Sequence, residues 1–229
     1  MKKMLASCLA ASCFAVSAQA QVLTFEGIAS GTSQTPIGNF YNGGAGTNFG
    51  IEFFGNALAI NSQANNCGGA GNFARNPSGC GVLFFLTGGS TGMNRASGFS
   101  TGFSLFYSAA NQSGSLQVFS GLNGTGTLLA SLALPTTGDG AALDGCFNLN
   151  FCPWRAVGIG FEGVAQSIVF AGVQNQIGFD DVTFGSVTPG TPNDVVPEPS
   201  TYLLMATGLA GMGLVARRRR SAEMPRHLS

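Results

Sequence analysis

Ile177-Gly178-Phe179-Asp180-Asp181-Val182-Thr183-Phe184 alternates apolar and polar residues at a period of two around a pair of aspartates. Side chains of a strand point alternately to its two faces, so this octet reads as a β-strand. Val182 and Phe184 face a core. Asp180 then shares their side and must lie at a rim or bulge, because a buried unpaired carboxylate is costly. Asp181 points the other way, with Thr183.

Working outward, similar signals recur along the chain. Val22 to Phe25, Gly50 to Phe54 and Ala57 to Ile60 read as strands, the last two joined at Gly55-Asn56. Val82 to Thr87 is a continuous apolar run and so a central strand, and Phe99 to Tyr107 alternates. Leu116 to Phe119 and Thr127 to Leu132 flank Gly121-Leu122-Asn123-Gly124 as a hairpin. Val157 to Phe161, Ser167 to Phe170 and the opening octet complete about ten short strands. No stretch between Gln21 and Gly185 sustains a helical period. Gly, Ser, Thr and Asn are abundant and charges are sparse. The expected fold is all-β, an antiparallel β-sandwich of jelly-roll type.

The termini read differently. Lys2-Lys3, apolar Leu5 to Val16 and Ala18-Gln19-Ala20 have the pattern of a signal peptide over residues 1–20, a helix cut by signal peptidase. The exported domain then runs over 21–185. Ser186 to Val195, with Pro189 and Pro192, reads as an extended linker. Tyr202 to Ala216 is an uncharged run, read as a single transmembrane helix. At about 1.5 Å per residue it reaches roughly 22 Å, short of a hydrocarbon core of about 30 Å. Arg217, Arg218, Arg219 and Arg220 follow. Such a basic block stays on the cytoplasmic side, with 221–229 as a cytoplasmic tail.

Val196-Pro197-Glu198-Pro199-Ser200, the apolar helix and the arginine cluster together resemble the PEP-CTERM sorting signal, over residues 196–220. The tail past the arginines is longer than such signals usually carry. The resemblance implies an exosortase substrate of a Gram-negative bacterium that makes extracellular polysaccharide. It is exported through the inner membrane, transiently anchored there, and then released to the cell surface or a biofilm matrix. It says nothing of what the preceding domain does.

The domain carries Arg75, Arg95 and Arg155 against seven carboxylates, a net charge of about −4, and no lysine. Nucleic acid is therefore not its partner, since that affinity comes from neutralised phosphates. The one histidine, His227, lies past the arginine block, which removes Ser-His-Asp and Cys-His catalysis from the domain. Glu26, Glu52 and Glu162 leave a glycosidase carboxylate pair open.

Cys67, Cys80, Cys146 and Cys152 allow three disulfide connectivities in an exported chain. Local pairing, Cys67–Cys80 and Cys146–Cys152, closes two loops that packing alone would not order. In many jelly rolls the first and last strands are neighbours, so Glu26 converges on Asp180 and Asp181, and Ca²⁺ is the ion such carboxylates take. The alternative is a pair of solvated or turn-capping aspartates. Tyr41, in a polar loop, and Trp154, beside Arg155, are the candidate sugar-stacking aromatics, with core packing the alternative for Trp154. Function is read as non-catalytic, a surface or matrix component that binds polysaccharide. The alternatives are a purely structural protein and a polysaccharide hydrolase.

Overall fold

The computed structural model describes residues 21–190, together with residues 207–208. The signal peptide, the sorting motif Val196 to Ser200, the tail and the second half of the linker lie outside the described residues. The arginine cluster of Arg217, Arg218, Arg219 and Arg220 lies outside them too, so its expected cytoplasmic placement stays an expectation. So does the transmembrane run apart from residues 207–208. Among the described residues no helix is long and apolar enough to cross a membrane. Residues 21–190 belong to one compact unit.

Ten strands follow in chain order. They are β1 (Gln21–Leu23), β2 (Thr35–Pro36), β3 (Ile51–Gly55), β4 (Leu58–Asn61), β5 (Gly81–Phe84), β6 (Ser90–Ser108), β7 (Gly114–Phe119), β8 (Leu128–Leu134), β9 (Arg155–Gly172) and β10 (Gly178–Phe184). All of their pairings are antiparallel. The two long strands create the sandwich. The first half of β6 pairs with β3, and its second half pairs with β10. β9 answers it, pairing through Phe161 and earlier with the β6–β10 side and through Ser167 and later with β7. One leaf is thus β2-β4-β5-β10-β6-β9, the other β3-β6-β9-β7-β8, and β6 and β9 belong to both.

Register breaks between Asn94 and Phe99, and again before Thr101, mark the passage from leaf to leaf. Gly98 (φ 74°) and Thr101 (φ 78°) sit there in the left-handed region. Such bulges bend a strand and increase its twist. Two of the expected strands, Val157 to Phe161 and Ser167 to Phe170, are in fact one bent strand.

The core lies between the leaves. Phe103, Leu105, Tyr107, Phe179 and Phe184 meet Ile51, Phe53, Met93, Ile168 and Phe170, all at most 5% exposed. Phe170 packs on Phe179 at 4.9 Å between centroids, and Phe103 on Phe170 at 6.3 Å. β5 lies between β4 and β10 and is buried on both faces, as its unbroken apolar run requires. Leu83 joins the main core, while Val82 and Phe84 join a second cluster on the outer face, with Ile60 and Phe73.

Both disulfides form, Cys67–Cys80 and Cys146–Cys152, each with 5.6 Å between Cα atoms. Closing loops of these sizes stabilises by about 2 to 3 kcal/mol each in the chain-entropy picture.

The first part of the expected linker does not lead away from the domain. Residues 186–190 run against the sheet. Val187 lies across Gly102 and Gly158, and a Cβ on Gly158 would fall 1.8 Å from the Val187 carbonyl oxygen. Gly185 N–H donates to the Gly102 carbonyl, and Gly190 N–H donates to the Thr183 hydroxyl at 3.3 Å. Only the bare backbone of the glycines lets the segment lie this close.

Candidate functional site

The outer face of β4 and β5 supplies an apolar floor of Ile60, Val82 and Phe84. Two disulfide-closed loops rise over it, 67–80 and 146–152, meeting at an isolated bridge between Phe73 and Phe151. With the turns after β6 and β9 they enclose a cleft of about 420 Å³. That is within the usual range of small-ligand sites, about 300 to 1,000 Å³.

Trp154 is half-buried in this cleft. Its ring meets Phe73 edge-on at 6.3 Å and 82°, and its indole N–H donates to the Ala74 carbonyl at 3.0 Å. The indole is therefore oriented, with part of its surface left to solvent. Amides line the rest. Asn72 Nδ2 donates to Asn150 Oδ1 at 2.8 Å, and Asn150 Nδ2 donates to both Asp139 oxygens at 2.9 Å. Gln34, Asn111, Asn175 and Gln176 also line the cleft, and their side chains make no hydrogen bond among the described residues. None of the lining residues is charged. The arrangement offers an aromatic flank with free donors and acceptors, suited to an uncharged, hydroxyl-rich ligand. Glu26, Glu52 and Glu162 do not line it, so no carboxylate pair flanks a ligand there.

Tyr41 does not have the exposed role expected of it. It is 5% exposed, packed among Phe25, Phe40, Phe49 and Phe53, and its hydroxyl oxygen accepts the Phe25 N–H at 3.0 Å. The polar residues around it suggested a solvated loop, but the phenylalanines fold the loop inward. Burial pushes the Tyr41 hydroxyl well above its ordinary value; the Phe25 N–H offsets part of this, and Asp180 and Glu26 add to it.

Those two acids belong to a second locus. β1 pairs with β10 in register Leu23↔Val182, so the first and last strands are neighbours. β5 pairs with the same edge of β10 at Phe179. Between the two partners β10 is bulged, and Asp181 takes φ 47°. The bulge lets Phe179 and Val182 both face the core although they are three apart. It also turns Asp180 toward the 67–80 loop. There Asp180 accepts from Ser78 N–H (3.1 Å), Ser78 Oγ (3.0 Å), Asn76 Nδ2 (3.4 Å) and the Asp181 N–H (2.8 Å). Glu26 Oε1 accepts the N–H groups of Cys80 and Gly81 at 2.8 and 2.6 Å.

Asp180 and Asp181 are both fully buried, so they are not solvated, although Asp180 does accept backbone N–H groups as the turn-capping alternative expected. Burial raises the Asp180 carboxyl well above the ordinary carboxylate value, and the Asp181 charge raises it further against the pull of the Ser78 donors and the Asp181 N–H. Burial also raises Asp181, partly offset by the nearby Ser78 and reinforced by Glu26. Neither Asp181 oxygen has a donor in hydrogen-bond geometry. Among the described residues no three His, Cys, Asp or Glu side chains stand grouped as a ready-made metal cage, so the expected Glu26–Asp180–Asp181 set is a neighbourhood and not a formed cage.

Residues 195–220 match the family model described as the PEP-CTERM protein-sorting motif. The chain carries a PEP-CTERM sorting signal. This marks an exported protein with a C-terminal segment that an exosortase processes. The matched residues include Arg217, Arg218, Arg219 and Arg220, the cluster that the resemblance required at this end. No curated protein matches the chain. Among solved structures it is similar to a β-1,3-glucan-binding CBM6 from Bacillus halodurans, at 14% identity and TM-score 0.36, covering 74% of this chain and 96% of that one. It is also similar to the K1 cleaved adhesin domain of Lys-gingipain from Porphyromonas gingivalis W83, at 12% identity and TM-score 0.42, covering 73% and 98%. A family 11 carbohydrate-binding module from Clostridium thermocellum, crystallised with a mixed-linked tetrasaccharide, gives 13% identity and TM-score 0.32 over 74% and 96%.

Trp154 is a candidate from the sequence, whereas Asn72, Asn111, Asn150 and Asn175 are not. They come from four separate loops, and their only trace in the sequence is a general abundance of asparagine.

Proposed function

We propose that the protein is an exported, non-catalytic component of the cell surface or extracellular matrix that binds a neutral polysaccharide in the Trp154 cleft. The observation that carries this reading is the cleft itself, a fixed half-buried indole beside four unpartnered amides with no charged lining residue. Sugar rings present apolar C–H faces to an indole and hydroxyls to amides, the combination of an apolar wall and a few convergent polar groups that ligand sites use. The sorting signal supports the setting. Signal peptidase and an exosortase are the processing partners, and the inner membrane is a transient station. Intact-mass measurement of surface-extracted protein should show that Arg217, Arg218, Arg219 and Arg220 have been removed.

The test is affinity electrophoresis through gels containing neutral glucans or the producing organism's own exopolysaccharide. Retardation that Trp154→Ala abolishes supports the reading. Free migration through every polysaccharide would make the domain a purely structural surface protein. Release of reducing sugars would replace binding with hydrolysis.

A further inference from the structure

The buried polar group with the least support is the Asp181 carboxylate. Its residue is fully buried, and neither oxygen has a hydrogen-bond partner among the described residues. A burial of this kind is normally matched by a partner of opposite charge or a bound metal. The charges that act on this acid pair are its own members and Glu26, all negative. Asp180 has its oxygens occupied by the 67–80 loop, and Glu26 holds the first two residues of the β5 approach. Asp181 is the member of the three whose oxygens both lack a donor in hydrogen-bond geometry, with only Ser78 nearby.

We propose that the junction of β1, the β10 bulge and the 67–80 loop holds a hard divalent cation of the calcium type with the Asp181 carboxylate as its anchoring ligand. Every candidate donor is oxygen: Asp181, the nearby Glu26 and Asp180 carboxylates and the Ser78 hydroxyl. The sulfurs of Cys67 and Cys80 are tied up in a disulfide, which disfavours softer metals. Calcium takes six to eight oxygen ligands in flexible geometry and fills its shell with carbonyls and water. It therefore does not need three carboxylates already in place. Magnesium, which demands a near-ideal octahedron, fits this irregular loop junction less well. The cation would join the first strand, the last strand and the 67–80 disulfide loop at one point. It is independent of any ligand in the cleft.

The experiment uses the purified full-length protein with disulfides intact, stripped with EDTA at a fixed pH of about 7.5. Tb³⁺ is added and its emission read on tyrosine excitation, since Tyr41 packs close enough for Asp180 and Glu26 to act on it. Ca²⁺ is then titrated, and the thermal midpoint is followed with Ca²⁺ and with Mg²⁺. The expected result is saturable Tb³⁺ emission displaced by Ca²⁺, and a midpoint several degrees higher with Ca²⁺ than with Mg²⁺. Asp181→Asn should lose both responses, and Glu52→Gln, an exposed carboxylate on β3, should keep them. If Asp181→Asn does not fold, the wild-type displacement titration decides alone. Absence of Tb³⁺ emission and of any Ca²⁺ shift in the wild type at millimolar Ca²⁺ overturns the proposal. So does a folded Asp181→Asn protein with an undiminished response.

Discussion

The Trp154 cleft and the Asp181 junction both contain unpaired polar atoms, yet those atoms have opposite meanings. In the cleft the free amides of Gln34, Asn111 and Asn175 are exposed, so water satisfies them at little cost until a ligand replaces it. At the junction the Asp181 oxygens are sealed from solvent, and an uncompensated buried charge costs several kcal/mol. One region can stay empty. The other needs a counter-ion or a proton. Both are anchored to the Cys67–Cys80 loop, whose Asn72 and Phe73 line the cleft and whose Ser78 and Cys80 hold Asp180 and Glu26.

That shared loop gives the test most able to break the contrast. Replacing Cys67 and Cys80 together by Ser should destabilise the domain by about 3 kcal/mol, read by denaturant unfolding. It should also weaken polysaccharide binding and the Ca²⁺ response together. If only one of them falls, the two regions are not coupled through the loop.

Acidity separates the regions next. In metal-free buffer the raised Asp180 and Asp181 carboxyls hold protons in the folded chain that the unfolded chain has already released. The associated stability is fully present below the ordinary carboxylate value of about 4 and is lost as pH rises through the folded values. Glu26, Tyr41 and Ser78 are the groups that face the pair. Thermal scans without metal should thus show a higher midpoint at mildly acid than at neutral pH, and Ca²⁺ should remove the difference. Affinity in the uncharged cleft should show no such trend.

Trp154→Ala acts on the cleft alone. It should reduce polysaccharide affinity at least tenfold, about 1.4 kcal/mol, while the Ca²⁺-dependent midpoint shift remains. Tyr41→Phe is the smallest change. It removes the acceptor of the Phe25 N–H and should cost about 1 kcal/mol by equilibrium unfolding, with no effect on the cleft.

Local chemistry made the strands, the paired cysteines and the neighbourhood of first and last strand legible. The unbroken run at Val82 announced a strand buried on both faces, and β5 is one. The long bent strands were harder to read. Residues 90–98 hold two Ser and two Gly and resemble a loop, but Thr91 to Asn94 pair on both sides, with β3 and β9, in a register that depends on chain far away. Tyr41 reads as exposed because Asn39, Asn42, Gly43 and Gly44 surround it in sequence, whereas in space Phe25, Phe49 and Phe53 join Phe40 around it. The site residues were harder again. No local pattern marks Asn72, Asn111 and Asn175, because tertiary structure alone brings their loops together. The alternation required a rim or bulge at Asp180, and β10 is bulged between Asp180 and Thr183, but it could not show that both Asp181 oxygens would be left without a donor.

The seating of Val187 on Gly102 and Gly158 has a mechanical consequence. Any load arriving from the C-terminal side first meets residues 186–190, held by contacts such as that between Gly190 and Thr183, which can peel away one at a time. Only then does it reach β10, a strand bonded to β6 on one edge and to β1 and β5 on the other. Pulled along its axis, β10 must release those ladders together. Residues 186–190 should thus act as a short extensible fuse ahead of a stiff domain. Single-molecule pulling from the C-terminus should record a small early extension before the main rupture, and a single rupture would contradict it.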